Sequence, residues 1–187
     1  FNRPDFLELV LLSFLVQSRH DFEVIVADDG SGQETREVVE RHSHGEGLSV
    51  RHVWHEDLGF RKTVILNKAV KLSTTDVLIF NDGDCIAHPR FVESHLAAGR
   101  PGQFQVGRTP RLSRRLSTRV TRETVLRGTA QRMSTAKIWD ALFGESRKIE
   151  FGFYVGNALV FRVVQWAKRN LDLWGGIFRA GNRTTRR

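Results

Sequence analysis

DVLIFNDGDC, residues 76–85, carries the strongest fold signal in this 187-residue chain. The four apolar residues from Val77 to Phe80 predict a short strand that is buried on both faces. Asp82 and Asp84 follow at the carboxyl end of that strand, where open α/β sheets bind their ligands. Two carboxylates this close repel each other unless a cation lies between them, so the pair indicates a site for Mg²⁺ or Mn²⁺. The alternative is a strand that simply ends in an Asp-Gly turn.

The first half of the chain alternates between predicted helices and strands. In order, apolar spacing and turn residues predict a helix from Pro4, a strand over 22–27, a helix from Ser31 to about His42, a strand over 48–54, a helix after Arg61, the strand over 76–80 and a helix from Pro89. Ser31 and Glu34 match a capping box at the second helix. This alternation predicts an α/β fold with a doubly wound, mostly parallel sheet flanked by helices.

The second half is less regular and more basic. It predicts a short strand over 103–106, a strand, turn and strand over 149–161 and a helix over 166–174. Eight arginines lie between Arg108 and Arg132. They indicate either a solvated surface or a basic lobe that meets anionic lipid or a diphosphate.

Composition narrows the class of protein. The chain is long enough for one domain with its own core, and its net charge of +8 predicts an anionic partner. Cys85 is the single cysteine, which excludes an internal disulfide. The apolar run over 6–16 is too short to span a bilayer. Histidines between His42 and His55 match no common zinc spacing, so we expect them to be solvated or locally hydrogen-bonded.

Several short motifs, in this order, resemble those of the family 2 glycosyltransferases, which have the nucleotide-sugar-binding GT-A fold, with a Rossmann-like nucleotide-binding half. The segments that carry the resemblance are NRP at 2–4, VIVADDGS at 24–31, GFR at 59–61, LNKA at 66–69, DGD at 82–84 and GNALVFR at 156–162. The resemblance implies a single domain over 1–187. Within it, 1–107 would be the nucleotide-sugar-binding half and 108–187 an incomplete acceptor-side half.

The resemblance also implies roles for individual residues on the donor side. Asp28 and Asp29 would contact the nucleotide, with the Asp29 carboxylate accepting a hydrogen bond from the base. Arg61 would reach the nucleotide as a permanent cation. Asp84 would bind the Mn²⁺ or Mg²⁺ that bridges the diphosphate, and Asp82 would lie beside it, at the metal or the ribose.

Gly156, Asn157 and Trp174 would lie on the acceptor side by the same resemblance. The family usually places acids after a Trp-Gly turn, whereas this chain reads LWGGIF at 173–178. No general base is therefore assigned, and we expect the chain to be a fragment or a degenerate member.

The implied function is metal-dependent, inverting transfer of a sugar from a nucleotide-diphosphate sugar, a UDP-sugar in the first instance, to a glycan or lipid-linked acceptor. We expect a cytoplasmic protein with peripheral contact to anionic membrane through 108–132. The alternatives are an inactive nucleotide-binding remnant, a metal-dependent nucleotidyltransferase and a basic nucleic-acid-binding module. The last lacks any recognised nucleic-acid motif, so nucleic acid is not an expected partner.

Overall fold

The structure is a computed structural model that describes residues 1–45, 47–105, 107, 109–132, 134–143 and 146. Its elements are, in order, α1 Pro4–Leu15, β1 Glu23–Asp28, α2 Gln33–Ser43, β2 Ser49–Trp54, α3 Lys62–Leu72, α4 Phe91–Ala98, α5 Arg114–Ser117, α6 Arg122–Leu126 and α7 Thr135–Phe143. The chain divides into two compact units, 1–107 with 114–132 and 108–113 with 133–187. All elements except α7 belong to the first unit.

The two strands of the first unit pair in parallel, with Glu23 opposite Ser49 and Asp28 opposite Trp54. A parallel pair needs a crossover connection, and α2 provides it. The carboxyl ends of both strands therefore meet at one edge of the sheet. The predicted α/β class, with a parallel sheet and flanking helices, is confirmed.

The main core lies between the sheet and the helices α1 and α2. Branched and aliphatic side chains recur on one face of each element, so folding removes them together from water. The buried members are Leu11, Val38, Val39, Leu48 and Val50. On α3, Ile65 is fully buried and Ala69 lies one helical turn beyond it. The core thus holds the two parallel strands in place.

The prediction of a buried strand over 76–80 is wrong. No strand is formed there, and Val77, Leu78 and Phe80 are 50%, 43% and 63% exposed. The Thr75 hydroxyl donates to the Val77 carbonyl (3.2 Å), which takes up a group that a sheet ladder would use. A run of apolar residues satisfies the composition of a strand, but a strand also needs a neighbour to pair with. The acids at 82 and 84 consequently lie in an extended loop.

The prediction of a capping box at the second helix is also wrong. Helix α2 begins one residue later than predicted, with Gly32 as its N-cap and no side-chain cap. Ser31 is instead buried, and its hydroxyl accepts a hydrogen bond from the Asn2 amide (3.1 Å). Residues 103–105 form no strand. The elements predicted over 149–161 and 166–174 lie outside the described residues.

The helices predicted from Pro4 and Pro89 and after Arg61 are confirmed as α1, α4 and α3. Both strands predicted over 22–27 and 48–54 are confirmed to within one residue at each end. Among the described residues, no helix combines the length and apolar character needed to cross a bilayer.

Candidate active site

Asp28 ends β1 and is buried, with 6% of its surface exposed. It accepts a hydrogen bond from the Ser31 amide (2.9 Å), and its other oxygen lies 3.1 Å from His52 Nε2 on β2. Burial alone would raise the pKa of this carboxyl, but the hydrogen bonds from His52 and Ser31 outweigh burial and hold the pKa below its ordinary value. Asp28 therefore serves to join the two strand ends and to shape the turn after β1.

Asp29 joins three parts of the chain at the same edge. One carboxylate oxygen lies 2.6 Å from His55 Nε2, just after β2, and the other accepts the Arg61 amide hydrogen (2.8 Å) at the start of α3. Burial favours the neutral acid, but the contacts with His55 and Arg61 outweigh it and lower the pKa of Asp29. Asp29 is therefore an ionised carboxylate held in one orientation.

His55 is 7% exposed, and its Nδ1 atom is buried without a hydrogen-bond partner in the described part of the chain. Arg61 donates from Nη2 to the Glu56 carbonyl (2.9 Å), and its buried Nε also lacks a partner among the described residues. Buried polar atoms usually bond to protein or to water, so His55 Nδ1 and Arg61 Nε are available to a water molecule or a ligand at this edge.

Gly30 allows the turn after β1 to approach the chain that follows β2. Its φ is +90°, and a Cβ at this position would lie 2.6 Å from the Asp57 backbone. Any side chain would therefore clash and would also require an unfavourable backbone conformation. The DDGS motif is thus explained locally by one buried acid, one oriented acid, one obligatory glycine and one buried serine.

The second acid cluster lies in the loop after residue 80. The Asp82 carbonyl accepts the Cys85 amide (3.0 Å), and Asn81 donates from its side chain to the Cys85 carbonyl (2.7 Å), which closes a tight turn. Ligand atoms of Asp82, Asp84 and Cys85 all lie within 4.8 Å of one another. Both carboxylates are exposed, which leaves room for water and phosphate oxygens. This donor set fits a divalent cation of the Mn²⁺ type.

The start of α3 contacts both acid clusters. Arg61 donates its amide to Asp29, and the next residue, Lys62, places Nζ 2.6 Å from Asp82 Oδ1. Residues 29 and 82 are far apart in sequence, yet two successive residues of the chain contact them. The structure therefore relates the two sequence-predicted clusters through one helix N-terminus, whose partial positive charge also favours anions.

The end of α1 and the residues after it form hydrogen bonds with the chain that follows the acidic turn at 82–85. The Ser13 hydroxyl accepts the Ala87 amide (3.0 Å), while the buried Gln17 side chain contacts the backbone of His88 and Val92. These bonds fix the chain directly after the acidic turn. They connect elements about 75 residues apart, so only the folded chain reveals them.

Sequence reasoning missed the roles of His52, His55 and Lys62. The two histidines are hydrogen-bonded, as expected, but to acids at the end of β1 and directly after it rather than locally. The parallel register of β1 and β2 was the signal that could have found both histidines, because it places the ends of the two strands side by side. It gives no signal for Lys62. Gly156, Asn157 and Trp174 lie outside the described residues.

The chain is similar in sequence to several known proteins. Over 100 residues the chain is 38% identical to validoxylamine A glucosyltransferase of Streptomyces hygroscopicus subsp. jinggangensis (strain 5008), covering 52% of this chain and 23% of that protein. It is 33% identical to hyaluronan synthase of Pasteurella multocida over 98 residues, 52% of this chain and 10% of that protein. Chondroitin synthase of Escherichia coli is 28% identical over 97 residues, 51% of this chain and 14% of that protein.

The matched part thus spans less than a quarter of each of these relatives. No solved structure matches the chain significantly. The model of the family described as glycosyl transferase family 2 matches residues 1–153. Since that match covers most of the chain and includes both acid clusters, the chain belongs to glycosyl transferase family 2.

Proposed function

We propose that this chain forms the donor-binding part of a glycosyltransferase that uses a nucleotide-diphosphate sugar, a UDP-sugar in the first instance. The observation that carries the proposal is the start of α3, where Arg61 and Lys62 contact Asp29 and Asp82. An ionised, oriented carboxylate suits a nucleotide base, and an acidic turn suits a cation on the diphosphate. The names of the relatives include a glucosyltransferase and two polysaccharide synthases, which supports this reading.

The proposed donor site comprises five residues: Asp28, Asp29, Arg61, Asp82 and Asp84. The buried Asp28 supports the turn that carries Asp29. Asp29 accepts an N–H of the base through a lone pair that His55 and Arg61 leave available, since each carboxylate oxygen has two. Arg61 contributes positive charge beside the nucleotide. Asp84, with Asp82, holds Mn²⁺ or Mg²⁺. When bound, that ion stabilises the negative charge that builds on the departing nucleoside diphosphate.

The reaction itself is proposed as attack by an acceptor hydroxyl on the anomeric carbon, with inversion, and the acceptor as a glycan or lipid-linked glycan. It needs a general base on the acceptor side. Gly156, Asn157 and Trp174 are proposed to lie there.

Calorimetric titration of UDP in the presence of Mn²⁺ tests the donor site. We expect binding in the wild type, a loss of at least tenfold in Asp84→Asn, and no change in Asp76→Asn, a control at an exposed acid of the same segment. Equal binding by both variants, or no UDP binding by the wild type, would contradict the proposal.

The second candidate function is an inactive nucleotide-binding remnant, which is favoured by LWGGIF at 173–178 in place of an acidic turn. Incubation with radiolabelled UDP-sugar separates the two functions. Sugar transfer, or metal-dependent hydrolysis of the donor, is expected only for an active enzyme. UDP binding with neither reaction supports the remnant.

We propose a cytoplasmic location with peripheral contact to anionic membrane through 108–132. The eight arginines of this segment support the proposal, and two of them are already paired with acids, Arg122 with Glu8 and Arg127 with Glu123 (2.7 Å). Flotation with vesicles that contain phosphatidylserine should recover the protein at low salt and release it at high salt. Recovery with neutral vesicles alone would contradict an electrostatic contact.

A further inference from the structure

We propose that Lys62 is an internal counter-ion of Asp82, which a divalent cation displaces and whose ammonium group then binds the donor's diphosphate. This inference rests on the proposed function and adds a residue to it. It begins from one contact: Lys62 Nζ lies 2.6 Å from Asp82 Oδ1, at the acidic turn where the cation would bind.

The contact solves a charge problem in the free protein. Asp82 and Asp84 place two carboxylates in one tight turn, and their repulsion must be offset. The Lys62 ammonium supplies positive charge at Asp82 Oδ1. A cation that takes Asp82 as a ligand needs the same oxygens, so ammonium and metal compete for this carboxylate.

The exchange is easy because both partners are accessible. The side chains of Lys62 and Asp82 are 51% and 62% exposed, and exposed ion pairs of good geometry change an equilibrium by at most about fivefold. Lysine also has a long, flexible stem that allows its head group to move without moving the helix. The ion pair should therefore lower the affinity for a competing cation measurably, and it can break when that cation binds.

The released ammonium has a suitable new partner beside it. Lys62 is the first residue of α3, whose N-terminal amides carry partial positive charge, and a diphosphate held by the cation at Asp82 and Asp84 would lie next to it. The neighbouring Arg61 is less able to move there, because its guanidinium donates to the Glu56 carbonyl. Lys62 is thus the mobile cation at the start of α3 and Arg61 the fixed one.

Two titrations of the full chain test the inference, the first with Mn²⁺ alone, followed by electron paramagnetic resonance of the free ion. Lys62→Met removes the charge and keeps the aliphatic stem. We expect it to bind Mn²⁺ about fivefold more tightly than the wild type. Lys68→Met, at an exposed lysine of the same helix, is the matched control and should change the affinity less than twofold.

The second titration uses UDP at saturating Mn²⁺. Here Lys62→Met should bind about tenfold more weakly, because a charge-assisted contact to phosphate is lost, and Lys68→Met should bind as the wild type does. The opposite signs of the two effects are the signature of the exchange. Wild-type values for Lys62→Met in either titration, or equal effects of both lysine variants, overturn it.

Failure of the proposed function would give a different result in the Mn²⁺ titration. If the wild type binds no Mn²⁺, or if Asp84→Asn binds Mn²⁺ as the wild type does, the cation site is wrong and the role of Lys62 fails with it. If Mn²⁺ binding depends on Asp84 while Lys62→Met changes nothing, only the inference about Lys62 fails.

Discussion

Gln17, just after α1, should be among the most sensitive polar positions of the first unit. Its side chain is 3% exposed. It donates to the carbonyls of Ser13 (3.0 Å) and His88 (2.9 Å) and accepts the Val92 amide (3.1 Å), so it makes three hydrogen bonds. Replacement by methionine keeps the length of the side chain and removes the amide. The carbonyls and the Val92 amide then lose their partner in a place that water reaches poorly.

The expected cost follows from that count. A typical buried hydrogen bond contributes about 1 kcal/mol net, and leaving its partner unsatisfied costs about 1–3 kcal/mol. Three such bonds suggest that Gln17→Met lowers the free energy of unfolding by about 3 kcal/mol. For a chain of this length the midpoint of thermal unfolding should fall by roughly 10 °C.

Urea denaturation followed by far-ultraviolet circular dichroism measures this change by linear extrapolation. Gln33→Met is the matched control, because Gln33 is an exposed residue of α2 whose side chain contacts Glu37 at the surface (3.2 Å). It should change stability by less than about 0.5 kcal/mol. A loss below about 1 kcal/mol in Gln17→Met, or equal losses in both variants, would refute the reasoning from buried hydrogen bonds.

Three further predictions concern the strand ends and the core. Because the pKa of Asp28 is lowered in the folded state, its ionised carboxylate stabilises the fold above about pH 4, and this stabilisation is lost as the pH falls through the folded-state pKa. Asp28→Asn should therefore flatten the acid side of a plot of urea midpoint against pH. His55→Leu should weaken UDP binding about tenfold and His55→Gln should restore most of it, since an amide can still donate to Asp29; equal loss in both would contradict this. Ile65→Ala should cost about 2–5 kcal/mol in urea unfolding, whereas Val64→Ala, at a 44% exposed position, should cost little.

The sequence predicted those elements whose evidence is local. Helices α1 to α4 and strands β1 and β2 follow from apolar periodicity, prolines and glycines within short windows, and the motifs led to the GT-A fold. The prediction of a strand over 76–80 is wrong because only part of what a strand requires is a local property of the sequence. Its apolar residues were present, but pairing depends on a neighbour that the pattern cannot specify. The exposed Val77 and Phe80 are the direct consequence.

The candidate site likewise combines residues that the sequence identifies with contacts that only the folded chain shows. The acids after residue 27 and after residue 81 were identified from sequence, because carboxylates beside glycines at the ends of apolar runs are a local feature. Arg61 was also named from the sequence, but the contacts of these acids with His55, Arg61 and Lys62 come from the folded chain, since they join residues 20 to 32 positions apart.

Local chemistry alone therefore specified an α/β protein with two acidic turns and a net positive charge. Tertiary structure decided which acid is buried, which is oriented and which is paired with a lysine. The physical reason is that a carboxylate's role depends on the donors and charges around it, and these are brought together only when β1, β2 and the start of α3 pack at one edge.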